Sequence, residues 1–268
     1  MQTLLKTLVL IPTYNEKGNV ERIAGEILSL HPHLDILFVD DNSPDGTGLI
    51  LNRLTQRHPS IRVIHRPVKA GIGSAHREGI RWAYAHGYAR LITLDCDFTH
   101  NPRYLKEFLL QSEAHDVVIG SRHLNPNSLE GWRWLRLLLT RLSHFLTRRL
   151  LGIPQDATSA FRAYRLDKIQ PDAFNSICSS GYSFFFESLF WFNRFGLSIQ
   201  EVPIVLSPRA CGSSKMRLVD ALQSLRQLFR LYRVSIVDPA PAEGSASVEG
   251  QPASHQLDGM TVGKKRCS

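Results

Sequence analysis

No apolar run in this chain is long enough to cross a bilayer. The longest stretch without a charged residue, 173–186, is fourteen residues and rich in serine, whereas a spanning helix needs about 20 apolar residues. The N-terminal MQTLLKTLVLIPTYNE lacks a small-residue cleavage site, and its apolar run passes straight into polar residues, so no signal peptide is predicted. Cysteine is scarce: Cys96, Cys178, Cys211 and Cys267 form neither a CxxC pair nor a zinc spacing, which predicts a reduced, cytosolic chain. Internal repeats are absent, and no Ser-His-Asp or Cys-His arrangement stands out.

What is present is a core and an excess of positive charge. Hydrophobic residues make up 43% of 268, enough for one large domain with appendages. Net charge is +8, and segment 238–268 carries −1, so the body carries +9. A balance of that sign predicts an anionic partner: phosphate, nucleotide, nucleic acid or membrane surface.

Short apolar runs alternate with helical patterns. Residues 7–12, 35–41, 61–66, 89–95 and 116–122 read as strands, separated by helices, one of which follows the glycines at 71, 73 and 79. Such alternation implies a mainly parallel sheet covered on both faces, with ligands beyond the carboxyl ends of the strands. PTYNE, DDNS, DCD and GSR all fall at those ends. Two later runs differ. Residues 132–152 hold five arginines and no acid, and 216–236 place Leu218, Leu222, Leu225, Phe229 and Tyr232 at helical spacing beside Arg226, Arg230 and Arg233. Arginine beside Leu, Trp and Phe suits an anionic lipid interface, although a leucine stripe also suits core packing. The leucine-flanked arginines match no RNA- or DNA-binding module, so nucleic acid is not expected as a partner. From Asp238 onward Pro, Ala, Gly and Ser dominate without periodicity, which predicts a disordered tail.

The apolar run LITL ends in Asp95 and Asp97. In extended chain these side chains point one way and Cys96 the other. Two like charges on one side make a platform for a hard divalent cation, Mg²⁺ or Mn²⁺, whose shell is completed by substrate phosphates; a solvated loop or a helix cap would use the same pair. Asp41 at another strand end suits ribose or sugar hydroxyls, or a strand-end cap, and Asp40 braces the turn. Tyr14 and Glu16 after Pro12 offer a stacking ring and a hydroxyl acceptor to a nucleoside, or a helix start.

These motifs resemble the family 2 glycosyltransferases of GT-A fold, most closely the dolichyl- or polyprenyl-phosphate mannose synthases. The resemblance runs from about Leu8 to Tyr232. It rests on PTYNE (12–16), VDDNSPDGTG (39–48), GIGSAHREG (71–79), DCDFTHNP (95–102) and GSR (120–122), then on Trp132, Arg136, Thr140 and Arg141, DATSAFRAYR (156–165), GYSFFFE (181–187) and EVPIVLSPRACGSSK (201–215). The spacing of Arg209, Gly212, Ser214 and Lys215 points to the lipid-phosphate branch. Thr99 stands where Ser or Gln is usual, Ser159–Ala160 where a glycine is common, and Phe185 where Gln is frequent.

The resemblance implies an α/β GT-A (Rossmann-like) domain over 1–207 with an interfacial helix at 132–152. A phosphate-closing loop and amphipathic interfacial helix follow at 208–237. It implies transfer of mannose from GDP-mannose to a polyprenyl (dolichyl) phosphate, with UDP-glucose or another nucleotide sugar as the alternative donor. It assigns catalysis to Asp95, Asp97, Arg122, Arg209 and Lys215, with metal on Asp95 and Asp97. Pro12, Tyr14, Glu16, Val39, Asp41 and Cys96 join those five in holding the nucleotide sugar, and Arg122, Arg136, Thr140 and Arg141 face the acceptor phosphate. Location is implied at the cytoplasmic face of a membrane, peripherally; some relatives recruit a membrane-anchoring subunit, which makes one a candidate partner here.

Overall fold

The computed structural model describes residues 5–125, 128, 134–207 and 218–238. The expectations at Trp132, Arg209, Gly212, Ser214, Lys215 and the tail beyond Asp238 therefore lie outside the described residues. Along the chain come β1 (Thr7–Thr13), α1 (Val20–Leu30), β2 (Asp35–Asp40), α2 (Thr47–Arg57), β3 (Ile61–His65), α3 (Ile72–Ala85) and β4 (Arg90–Thr93). A short 3₁₀ turn at Pro102–Tyr104 leads into α4 (Leu105–Gln111), β5 (Val117–Ser121), α5 (Trp134–Leu151), β6 (Arg162–Arg165) and α6 (Pro171–Asn175). The last described elements are α7 (Phe184–Arg194), β7 (Ile199–Pro203) and α8 (Leu218–Val237).

The seven strands form one sheet in the order β3-β2-β1-β4-β6-β5-β7. Alternation along β1 divides the core: Leu8 and Leu10 face one apolar layer, Val9 and Ile11 the other. The first layer also takes Ile80 of α3 and Phe184, Leu189 and Phe192 of α7. The second takes Ile23 and Ile27 of α1, Leu51 and Leu54 of α2 and Phe108 of α4. A sheet covered on both faces needs apolar residues at both parities, which is why β1, β2 and β5 read as continuous hydrophobic runs.

The mainly parallel sheet holds, with two strands the sequence did not suggest: β7, which pairs parallel with β5, and β6. β6 lies antiparallel between β4 and β5. Its sequence, RAYR, is bracketed by charge, yet Arg162 is fully buried. The guanidinium is satisfied internally: it donates to the carbonyls of Ser159 (2.8 Å), Ala157 (3.1 Å) and Phe185 (2.9 Å) and to Ser188 Oγ (2.7 Å). A buried charge is tolerable only with such pairing, and here it ties the 157–160 loop to α7.

Cys96 is buried and forms no disulfide. Cys178 is disulfide-bonded, so the expectation of a fully reduced chain is corrected at that residue. Among the described residues no helix is long and apolar enough to cross a membrane.

α5 and α8 pack on each other and bury little of themselves. Leu228 and Leu231 are the buried residues of α8. Trp134 is 75% exposed, Leu222 59% and Phe229 52%, and Leu138, Leu139, Leu142, Phe145 and Leu225 are also exposed. Arg141, Arg148, Arg149, Arg226, Arg230 and Arg233 are exposed among them. A patch of this kind marks a contact surface.

Candidate active site

A cleft of about 330 Å³ opens at the carboxyl ends of β1, β2 and β4, where a doubly wound sheet receives ligands. Its floor is Pro12, Thr13, Tyr14, Glu16, Asp41, Asp95, Cys96 and Asp97, one side is Lys69–Ile72 with Ala75, another is Ser180–Tyr182, and Asp220 and Gln223 of α8 close it. The described lining thus carries five carboxylates and one cation, Lys69.

Backbone strain gathers at the same edge. Asn15, Asn42 and Phe98 have φ of 55°, 58° and 64°. Asparagine tolerates the left-handed region, but a bulky residue such as Phe98 costs about 1–2 kcal/mol there. The turn this imposes sits directly behind Asp97. Strain of this kind persists where the surroundings over-determine it.

Asp97 is 3% exposed, and its Oδ1 accepts from Thr99 N–H (3.1 Å) and Thr99 Oγ1 (2.6 Å). Thr99 therefore supports the carboxylate from behind. Asp95 N–H donates to His100 Nδ1 at 3.1 Å, and Asp95 Oδ2 lies 3.6 Å from the same nitrogen. Burial is the main influence on His100 and pulls its pKa below the usual value, against the upward pull of Asp95 and Asp97. The accepting Nδ1 makes the ring the neutral Nε2–H tautomer.

Asp41 lines the cleft, and its oxygens are engaged with protein. Ala70 N–H and Gly71 N–H donate to it at 3.0 and 3.1 Å, and Arg66 Nη1 lies 3.2 Å away. Asp41 thereby fixes the loop that carries Lys69, whose ammonium sits 3.7 Å from the centre of the Tyr14 ring. Asp40 braces its turn as expected, accepting from Ser43 Oγ at 2.5 Å. Glu16 lines the cleft; its carbonyl accepts Asn19 N–H (2.8 Å) at the entry to α1, and its carboxylate accepts from Asn19 Nδ2 (2.6 Å).

The glycines at 71 and 73 serve contact with the 179–181 loop. A Cβ on Gly71 would stand 2.6 Å from the Ser180 carbonyl oxygen, and one on Gly73 would stand 2.7 Å from that of Gly181. Ser74 N–H donates to the Ser180 carbonyl at 3.0 Å. The loop is held from its other side by Glu187, 2% exposed, whose carboxylate accepts Cys178 N–H (3.2 Å) and Ser179 N–H (2.9 Å). Phe185 is buried beneath Arg162 and against His76, so its divergence from the family pattern falls in the core and not in the cleft.

Two expected residues lie elsewhere. Val39 is fully buried in the core and does not line the cleft. Arg122 is committed to Asp156, donating from Nε (2.8 Å) and Nη2 (2.6 Å) to its two oxygens, and it is not among the described lining residues. Burial works against the charge of Arg122, but Asp156 outweighs it and raises the pKa. Burial would likewise raise Asp156; the Arg122 charge and hydrogen bonds instead hold it well below the carboxylate range. Asp95 also raises the Arg122 pKa, so the Arg122 charge is felt at Asp95. Arg136 lies in α5 with its side chain outside the described residues; Thr140 is half-buried and Arg141 exposed on the same helix. Lys69, Asp156, Asp220, Gln223 and the 180–182 wall were not foreseen as site residues. The one available signal was Asp220, a lone acid in a basic amphipathic run.

Among the described residues no group of three or more His, Cys, Asp or Glu is arranged to hold a metal ion. Asp95 and Asp97 still fit Mg²⁺ or Mn²⁺, which take one or two carboxylates and complete their shell with phosphate and water, and a lining so rich in acid needs cationic charge before it can accept a diphosphate.

Polyprenol monophosphomannose synthase of Mycolicibacterium smegmatis is 38% identical over 214 residues, 79% of this chain and 81% of the relative. Undecaprenyl-phosphate mannosyltransferase of Micrococcus luteus is 36% identical over 213 residues, 79% of this chain and 88% of the relative. Among solved structures, glucosyl-3-phosphoglycerate synthase from Mycobacterium tuberculosis, in complex with Mn²⁺, UDP and phosphoglyceric acid, superposes with a TM-score of 0.60 at 19% identity, over 90% of this chain and 81% of that one. At that identity the likeness shows a shared fold. The family model described as glycosyl transferase family 2 matches residues 8–171, and the chain belongs to that family of glycosyltransferases.

Proposed function

We propose that this chain transfers mannose from GDP-mannose to a polyprenyl (dolichyl) phosphate with inversion, giving a β-linked polyprenyl-phosphate mannose and GDP. The observation that carries the reading is the juxtaposition of an acid-lined cleft at the β4 edge with the exposed apolar and arginine-rich surface of α5 and α8. The two mannosyltransferase relatives support the sugar and the class of acceptor by their names.

A phosphate oxygen of the acceptor attacks C1 of the sugar, and the bond from C1 to the diphosphate oxygen breaks, releasing the nucleoside diphosphate. The nucleophile is already anionic near neutral pH, so no general base is required, in keeping with the lack of a base–nucleophile pair in the sequence. Asp95 and Asp97 would hold a divalent cation, which when bound would neutralise charge on the departing diphosphate. Thr99 and the Phe98 turn hold Asp97 in one orientation before substrate arrives, which is what positioning and electrostatic catalysis demand. Tyr14 and Lys69 present a stacked ring and cation to the nucleoside. Arg122, pinned by Asp156, contributes positive potential beside Asp95. Arg209 and Lys215, with Arg136, Thr140 and Arg141, are assigned to donor and acceptor phosphates by resemblance.

The lipid phosphate is met at the bilayer surface by α5 and α8, peripherally and on the cytoplasmic face. Burying one exposed Leu or Phe in lipid is worth about 1.5–3 kcal/mol, and each arginine near an anionic surface adds about 1 kcal/mol. The test is incubation with radiolabelled GDP-mannose or UDP-glucose, a short polyprenyl phosphate and Mn²⁺, followed by organic extraction. Label in the lipid phase from GDP-mannose is expected. Label from UDP-glucose alone would replace the donor, and none from either would reject the activity.

A further inference from the structure

The closing wall of the cleft has received no role so far. Asp220 and Gln223, three residues apart on α8, stand on one helical face and line the same cavity as Asp95 and Asp97. Neighbouring positions Leu218, Val219, Leu222 and Leu225 are exposed and apolar, so the acid and the amide are departures from an otherwise lipid-suited helix. Gln223 Oε1 reaches to 4.0 Å from the site a Gly181 Cβ would occupy, which places its carboxamide directly over the 180–182 wall. One turn further on, Gln227 continues this polar stripe, and its Nε2 is buried without a partner.

Charge decides what such a wall can hold. Among the described lining residues α8 contributes a carboxylate and a carboxamide and no cation that would hold a phosphate. A carboxylate that only accepts, beside a carboxamide that both donates and accepts, matches vicinal hydroxyl groups. We propose that Asp220 and Gln223 form a hydroxyl-binding subsite that grips a vicinal diol of the nucleotide sugar. The diol belongs to either the hexose or the ribose, and the chemistry recognised is the same. This rests on the reading of the cleft as a nucleotide-sugar site.

The bland account of Asp220 is favourable interaction of a first-turn acid with the dipole of α8; it gives no reason for Gln223. The two accounts separate in calorimetric titrations of the full chain, wild type, Asp220→Asn and Gln223→Met, with GDP, GDP-mannose and 2′,3′-dideoxy-GDP in MnCl₂, accompanied by thermal melts. Expected is a loss of about tenfold or more in affinity for at least one hydroxyl-bearing ligand with dideoxy-GDP binding unchanged. A loss confined to GDP-mannose assigns the hexose, and a loss shared by GDP and GDP-mannose assigns the ribose. Unchanged affinity for all three ligands, with or without a lowered melting temperature, overturns the proposal, as does an equal loss for all three. Failure of the wild type to bind any of them overturns it together with the reading of the cleft, and is distinguishable from failure of the subsite alone.

Discussion

In the proposed reaction the chemistry turns on Asp97, supported by Thr99, and their geometry makes them separable. Asp97→Asn keeps the acceptor for Thr99 and removes the charge. Transfer is expected to fall by at least about 10²-fold, since a bound dication supplies several kcal/mol to the departing charge, with little change in melting temperature; equal turnover would sink the assignment. Thr99→Val leaves both acids and loosens one, so Mn²⁺ affinity should weaken about 10- to 100-fold, as when support behind a metal ligand is lost. His76 offers a prediction for stability. It is buried, both ring nitrogens lack partners, and burial pushes its pKa from 6.5 down to about 3. The unfolded state therefore binds the extra proton between those values, and stability is complete above pH 6.5 and declines as pH falls toward about 3. The slope is at most about 1.4 kcal/mol per pH unit from this group. His76→Leu should flatten that acid limb in denaturant titrations at several pH values. At this scale the sequence showed the acids because like charges at the end of an apolar run demand a reason. It did not show Asp156, whose importance comes from Arg122 across the sheet, nor Lys69, which has no local pattern to betray it.

Elements place these side chains. α3 and the 179–181 loop touch through glycines with no room for a methyl group, so Gly73→Ala should destabilise the chain by about 1–3 kcal/mol and raise KM for donor by displacing the Ser180–Tyr182 wall. A melt and a steady-state measurement on one preparation check both; retention of both parameters would show that the loop yields. α5 reaches the site through His144, whose ring stacks on His123 with centroids 4.0 Å apart, next to the Arg122–Asp156 pair. Replacing Leu222 and Phe229 of α8 by Glu should reduce co-flotation with anionic vesicles at least about tenfold while GDP binding is unchanged. Unaltered flotation would return α8 to a packing role. The long strands and the amphipathic helices were legible because their periods are regular. β6 was not, because a buried arginine with internal partners reverses the polarity rule from which strands are read.

Across the whole molecule, the sheet brings residues from 12 to 223 to one cleft and sets beside it an exposed apolar surface flanked by arginines. In the proposed function that arrangement relates the exposed arginines to an anionic lipid surface beside the acid-lined cleft. The mainly parallel sheet followed from alternation of strands and helices, and GT-A from the resemblance, whereas the closing wall from α8 depends on tertiary packing that no local pattern records. The account stands or falls on the paired acids. Mn²⁺ titration followed by electron paramagnetic resonance, with and without GDP, measures them directly. The prediction is that GDP tightens Mn²⁺ binding to the wild type and that Asp97→Asn abolishes the GDP-dependent component. Equal Mn²⁺ binding by the two proteins in the presence of GDP would contradict the account.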